Sequence, residues 1–210
     1  MKQLTVLLVF LLVTANIFAQ DISQNNVPAV VLNAFQLKYG NASDVEWRLE
    51  KGNYRVNFEV NGKEHQLRLD DRGKIVKHEQ DLYVSEIPKV VLETVQGKVP
   101  FFDVEDADKI TENGQTTFEI NFEIDDKDHD FWINEKGTLI KYVKELKRNE
   151  IPAVILATLN EKYQGYEIRV AELKEESAAS FYDIQLRKSK EKVTLTFNPK
   201  GEIIGSTKNQ

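Results

Sequence analysis

Apolar and polar residues alternate along most of the chain, and a short helical pattern interrupts this alternation three times. Each interruption begins with an aliphatic residue followed by proline, at Val27-Pro28, Ile87-Pro88 and Ile151-Pro152. The three prolines lie 60 and 64 residues apart. A motif that recurs at such a spacing indicates an internal repeat. The sequence therefore predicts three successive copies of one structural unit.

Each copy is predicted to begin with a helix. Proline suits the first helical turn, where its missing N–H is no loss. Gly40-Asn41 ends the first helix, because these residues tolerate left-handed backbone. Residues 20–26, which precede it, are polar and predict a loose lead-in. The apolar residues of the first helix have helical spacing: Val30, Val31, Ala34, Phe35 and Tyr39.

Strands are predicted after each helix, because the apolar residues then alternate with a period of two. Tyr54 and Val56 precede Asn61-Gly62, which is typical of a hairpin turn. The same apolar positions recur 64 and 128 residues later, at Phe118 and Tyr182 for example. Such alternation predicts one buried and one solvated face.

The predicted fold class is α+β, with three tandem αββββ units, each a helix packed on a four-stranded antiparallel sheet. We place the repeats at residues 25–82, 85–146 and 149–207, and call them repeats 1, 2 and 3. The periodicity leaves open whether the sheets join edge to edge. Unpaired strand edges promote aggregation, which favours joining.

Residues 1–19 have the order of a secretory signal peptide. Lys2 gives a positive start, Leu4–Val13 is apolar, and Ala19 is a small residue at the end. The apolar run is shorter than the roughly 20 residues that span a bilayer. We expect cleavage between Ala19 and Gln20, a periplasmic or secreted protein, and no stable membrane insertion after cleavage. The alternative is an uncleaved N-terminal anchor.

Composition narrows the classes of partner. The chain has no cysteine, so neither disulfides nor a lipidated cysteine are expected. Without Lys2, 28 − 1 = 27 basic residues remain against 34 acidic residues, a formal net charge of −7. Nucleic-acid binding requires a basic surface, so we predict no nucleic-acid partner. The oligomeric state is left open.

The pattern resembles the PepSY-like, beta-lactamase-inhibitor-like domain family, in three copies over the chain after the signal. Repeat 2 lacks the first-strand tryptophan, and repeat 3 has residues 175–180 in place of a turn glycine. The resemblance implies export, a helix packed on an antiparallel sheet, and non-enzymatic binding or inhibition. The matching segments are Val27-Pro28, Tyr39-Gly40-Asn41-Ala42, Val45-Glu46-Trp47, Gly52-Asn53-Tyr54 and Asp71-Arg72-Gly73.

No catalytic set is evident, and we predict no catalytic residues, cofactor or metal. His65 and His78 on their own make a poor zinc site. The acidic run Asp125–Asp130 resembles a calcium loop. However, Phe131 and Gly137 occupy the positions that require glycine and glutamate in such a loop. A glycosidase would need two carboxylates that converge on a cleft, and no motif places such a pair.

The outer face of the sheet is the predicted binding surface. Trp132 lies between the apolar Phe131 and Ile133, so it should point away from the core. Tryptophan is enriched at interface hot spots. The last strand of each repeat has two adjacent aliphatic residues, of which one should face out. The candidate interface residues are Trp132, Leu139, Val143, Ile75 and Ile203.

Three functions remain open from the sequence. The first is an exported protein that binds or inhibits another exported protein through the outer sheet face. The second is a small-ligand carrier or sensor with a pocket between repeats. The third, which the residues support least, is an exported hydrolase.

Overall fold

The computed structural model describes residues 20–209 as three helices lying on one antiparallel sheet of thirteen strands. The predicted signal peptide lies outside these residues. The helices are α1 (Ala29–Lys38), α2 (Lys89–Lys98) and α3 (Ala153–Lys162). The strands are β1 (Gln20–Ile22), β2 (Ser43–Glu50), β3 (Asn53–Val60), β4 (Lys63–Leu69), β5 (Ile75–Asp81), β6 (Asp106–Glu112), β7 (Gln115–Glu123), β8 (Asp128–Asn134), β9 (Leu139–Glu145), β10 (Glu167–Glu176), β11 (Ala179–Lys188), β12 (Glu191–Phe197) and β13 (Ile203–Asn209).

The strands follow one another across the sheet in sequence order. Each helix precedes four strands, and the predicted four-stranded sheets are not separate but join edge to edge in the single sheet, which is the alternative that the edge argument favoured. β5 pairs with β6, and β9 pairs with β10, through five residue pairs each. The reason is that the last strand of a repeat has an edge of free N–H and C=O groups. The first strand of the next repeat pairs with that edge.

The residues predicted as a loose lead-in are ordered into β1 and a short 3₁₀ turn at Gln24–Asn26. β1 pairs with β2, with Gln20 opposite Leu49 and Ile22 opposite Trp47. The sheet therefore begins one strand before repeat 1.

Each helix covers the same face of the sheet over its own repeat, and three clusters of buried side chains result. In repeat 1, Val31 and Phe35 of α1 pack on Trp47, Val56 and other buried strand residues. This cluster has the most aromatic contacts with its helix. The Phe35 ring lies 5.3 Å from the Trp47 ring in an edge-on arrangement. Burial of these apolar surfaces is what holds each helix to the sheet.

The turn before the last strand of each repeat contacts the helix. Gly73, Gly137 and Gly201 have φ of 79°, 79° and 80°. In repeat 2, the Thr94 hydroxyl oxygen lies 2.7 Å from the carbonyl oxygen of Gly137, to which it donates. In repeat 3, Thr158 makes the same contact with Gly201 at 3.1 Å. The glycine thus permits both the left-handed backbone and the close approach of turn and helix.

Candidate functional site

The outer face is the side of the sheet opposite the helices, and its central row of residues differs between repeats. We define this middle row by the residues that lie opposite one another on four successive strands. In repeat 1 it is basic, and the row consists of Arg48, Arg55, Arg68 and Lys77. In repeats 2 and 3 it consists of Asp108, Glu119, Trp132 and Lys141, and of Glu172, Asp183, Thr196 and Gly205.

The basic row of repeat 1 is balanced by acidic neighbours. Arg48 Nε lies 2.6 Å from Asp21 Oδ1, and Lys77 Nζ lies 2.5 Å from Glu79 Oε2. Like charges directly opposite one another destabilise a sheet. These ion pairs offset that repulsion, so the row is a mixed-charge surface.

Trp132 lies on the outer face, between Glu119 and Lys141 of the neighbouring strands. Its side chain is half-buried. The Lys141 ammonium lies 4.0 Å from the centre of the indole ring, a cation–π distance. Burial raises the pKa of Glu119, and the neighbouring Trp132 indole opposes this rise. Trp132 is therefore held in place by charged neighbours and keeps part of its ring accessible.

The other four candidate interface residues divide into two groups. Val143 also lies on the outer face, opposite Asp130 and Lys174, but is only 6% exposed. The remaining three pack against the cores, so they do not belong to the outer face: Ile75, Leu139 and Ile203.

A β-bulge explains this orientation. Leu69 lies opposite Ile75, and Arg68 lies opposite Lys77, so Val76 is the extra residue between them. The same shift occurs in β9 and β13. The bulged residues there are Ile140 and Ile204, which are 41% and 53% exposed. In repeats 2 and 3 the exposed aliphatic residue of the pair is thus the second one.

Two carboxyl groups meet at the junction of repeats 1 and 2. Asp81 of β5 lies opposite Asp108 of β6, and their side chains share a hydrogen bond. Burial, followed by the negative charges of Asp106, Asp81 and Glu79, raises the pKa of Asp108 to about 7. A glycosidase pair is separated by about 5–9.5 Å so that a substrate fits between the groups. Asp81 and Asp108 instead contact each other.

A cavity of about 280 Å³ opens beside this pair in repeat 1. Its titratable lining residues other than His65 are all acidic, and they include Glu46, Glu59 and Glu79. The sequence did not predict this concentration of negative charge. Its members come from β2 to β5 and become neighbours only through strand register.

Replacing Asp108 with asparagine should remove a pH dependence of stability. With a folded pKa of about 7 against an ordinary value of 3.8, Asp108 binds its proton more tightly in the folded state. Its stabilising contribution is therefore lost as the pH rises from about 4 to 7. The variant should equal the wild type near pH 4 and be more stable at pH 8, by about 1–2 kcal/mol.

Denaturant unfolding at several pH values measures this difference. Glu123→Gln is a suitable control, since Glu123 is an exposed carboxylate of β7. An Asp108→Asn variant whose stability follows that of the wild type at every pH contradicts the prediction.

The histidines form neutral contacts on the helix side of the sheet. His65 Nδ1 lies 3.1 Å from His78 Nε2, and His129 Nδ1 lies 2.9 Å from the Tyr142 hydroxyl. Burial, and then the nearby charge of His65, lower the pKa of His78 to about 4. Within residues 20–209 no group of three or more metal-ligating side chains is placed to hold a metal ion.

Three helix-covered repeats on one continuous antiparallel sheet, with an open outer face, define the class of this protein. The sequence profile of the beta-lactamase-inhibitor-like, PepSY-like family matches residues 16–77, 74–141 and 142–205. The chain belongs to this family. None of the helices described for residues 20–209 has the length and apolar character to cross a membrane.

Two solved structures are similar to parts of this chain at low sequence identity. A BLIP-like protein from Bacteroides fragilis is 20% identical with a TM-score of 0.47, over 54% of this chain and 82% of its own. A proposed periplasmic protein from Bacteroides eggerthii is 17% identical with a TM-score of 0.50, over 55% and 87%. No curated protein matches the chain. At these identities the likeness concerns the fold alone.

Proposed function

We propose that this chain is an exported, non-enzymatic protein that binds another exported protein through the outer face of its sheet. The family assignment supports a binding or inhibitory role, and the solved relative from Bacteroides fragilis is described as BLIP-like. The order of residues 1–19 and the proposed periplasmic relative support export. The observation that carries the proposal is Trp132.

Trp132 has the properties of an interface anchor. It is a large aromatic side chain on an open sheet face, and partial burial already restricts its rotamers. Binding therefore loses little side-chain entropy when a partner covers the ring. In repeats 1 and 3 the same position is Arg68 and Thr196. The anchor is thus confined to the middle repeat, at the centre of the sheet.

The charges near Trp132 indicate the chemistry of the partner. Asp81, Asp108 and Glu119 lie on three successive strands beside it. Complementary charge fixes the register of a partner and speeds its association. We therefore propose a partner that presents an apolar pocket for the indole ring, flanked by lysine or arginine.

Trp132→Ala should reduce partner binding at least about tenfold, because anchor residues contribute about 2 kcal/mol or more. The measurement is recovery of interacting proteins from a periplasmic extract by the tagged chain, quantified at several chain concentrations. Phe101→Ala is the matched control, since Phe101 is an aromatic residue that is 89% exposed in the loop after α2. Trp132→Thr introduces the residue of repeat 3 and tests whether a β-branched side chain suffices.

Equal recovery by the wild type and Trp132→Ala would contradict the role of Trp132. Loss of recovery with Phe101→Ala alone would place the interface on the helix side instead. Circular dichroism of each variant shows whether a change in recovery reflects loss of fold.

A second candidate function is the binding of a small ligand between repeats 1 and 2. A cavity of about 620 Å³ lies there, between the end of α1, β5 and the β6–β7 turn, with Lys38, His78 and Thr111 among its lining residues. This volume lies within the range of ligand sites. Screening metabolite mixtures for an increase in melting temperature tests this function, because ligands that bind only the folded state raise it. A Thr111→Trp variant, which fills the cavity, should abolish any such increase.

A further inference from the structure

The N-terminal strand β1 reproduces the end of a preceding repeat. Gln20–Ile22 is followed by the 3₁₀ turn Gln24–Asn26 and then by an aliphatic residue and proline. The end of repeat 1 has the same order: Gln80-Asp81-Leu82, the 3₁₀ turn Val84–Glu86, and again an aliphatic residue and proline. The two segments share glutamine and aspartate at their first two positions.

The pairing of the two segments is also the same. Gln80 lies opposite Lys109 in β6, the first long strand of repeat 2. Gln20 lies opposite Leu49 in β2, the first long strand of repeat 1. Leu49 and Lys109 occupy equivalent positions in their repeats. β1 therefore covers the edge of β2 in the way that β5 covers the edge of β6.

The other end of the sheet has the complementary edge. β13 is equivalent to β5 and β9, and within residues 20–209 it pairs with β12 alone. In repeat 1, the Leu82 N–H donates to the carbonyl oxygen of Ala107 at 2.7 Å. N–H groups two and four residues earlier point to the same neighbour, because they alternate along an antiparallel strand. By equivalence, the Ser206 and Lys208 N–H groups of β13 point away from the sheet.

We propose that β1 is a built-in cap that prevents copies of this chain from pairing head to tail. Without β1, the β13 edge of one copy fits the β2 edge of the next. Lys208 then lies opposite Leu49, in the same way that Gln80 lies opposite Lys109 between β5 and β6. The two surfaces differ, so the contact is head to tail and joins copies into a ring or an open series. β1 occupies the edge of β2 within the same chain and therefore prevents this association.

The length of β2 explains why a short strand is a sufficient cap. β2 turns into β3 at Lys51-Gly52, whereas β6 continues to Glu112. Among residues 20–209, the β1–β2 contact has three residue pairs, against five for β5–β6. Pairing between uncapped copies therefore has few hydrogen bonds and needs a covalent trap to be detected.

A disulfide trap tests the proposal. The chain has no cysteine, so Leu49→Cys and Lys208→Cys together introduce the only two thiols. This double variant is made in a chain that begins at Gln20 and in one that begins at Ser23, and both are oxidised mildly. The chain without β1 should give a ladder of disulfide-linked oligomers at a yield about tenfold or more above that of the capped chain.

Two controls test the register and the facing of the two strands. Arg48→Cys in place of Leu49→Cys puts the thiol on the opposite face of β2, so it should suppress the ladder. Thr207→Cys in place of Lys208→Cys puts the other thiol on the opposite face of β13 and should suppress the ladder as well. Equal ladders with and without β1, or a ladder unaffected by either exchange, would overturn the proposal.

Discussion

Replacing Trp47 with alanine should lower the free energy of unfolding by about 3–5 kcal/mol, the usual cost of removing a buried tryptophan. Trp47 is 3% exposed and packs edge-on against Phe35 of α1. The equivalent residues of β6 and β10 are Ala107 and Ala171. The backbone at this position therefore accepts alanine, and the expected loss comes from the cavity that remains under α1.

Trp47→Phe separates packing from hydrogen bonding. The buried Trp47 indole N–H has no partner among the described residues, and phenylalanine removes this unpaired donor while it keeps an aromatic ring. We expect Trp47→Phe to cost about 1–2 kcal/mol, less than the alanine variant. Denaturant unfolding followed by far-ultraviolet circular dichroism measures both. An alanine variant within about 1 kcal/mol of the wild type contradicts the proposed core.

Gly137→Ala should cost about 2–4 kcal/mol. Left-handed backbone at φ 79° is unfavourable for alanine by about 1–2 kcal/mol. An added Cβ would also meet the Val90 side chain and lie 3.1 Å from the Val90 carbonyl oxygen. Forcing a methyl group into such a contact costs about 1–2 kcal/mol more. The turn would move away from α2, and the hydrogen bond from Thr94 would lengthen.

Gly114→Ala is the matched control, because Gly114 has φ 80° and open space where its Cβ would lie. It should cost only the backbone strain, about 1 kcal/mol. The difference between the two variants measures the close contact of turn and helix. Equal losses would mean that Gly137 is required for its conformation alone.

Periodicity predicted much of the fold, since the helices and long strands obey it. The helix beginning after Pro88 and the alternation of Phe118 and Ile120 both appear in the structure, where Phe118 and Ile120 are buried. The same apolar positions recur in all three repeats, which supported these predictions. Side-chain periods depend only on local backbone geometry, so they can be read from sequence.

The remaining features depend on contacts between distant residues or on irregular backbone. Asp81 and Asp108 meet because the edges of β5 and β6 pair. This pairing leaves no periodic pattern of hydrophobic residues in the sequence. The bulge at Ile140 decides which aliphatic faces out, and a bulge shifts the register by one residue. In the described part of the chain, the Gln20–Ile22 strand has three residues, too few for alternation to show.

The same distinction applies to the candidate site. Alternation placed Trp132 correctly on the outer face, because its strand is regular. It did not reveal that Glu119 and Lys141 hold the indole ring from the neighbouring strands. The binding role of this surface stays a proposal that rests on Trp132 and the charges around it.

The most direct test of the outer face as a binding surface is site-specific photo-crosslinking in the native periplasm. The chain carries a benzophenone amino acid at position 117, beside Trp132 on the outer face, in one variant and at position 101, in the loop after α2, in the other. The proposed function predicts a discrete crosslinked protein from position 117 and none from position 101. Crosslinks from position 101 alone, or from neither position while the wild-type chain still recovers its partner, would contradict it.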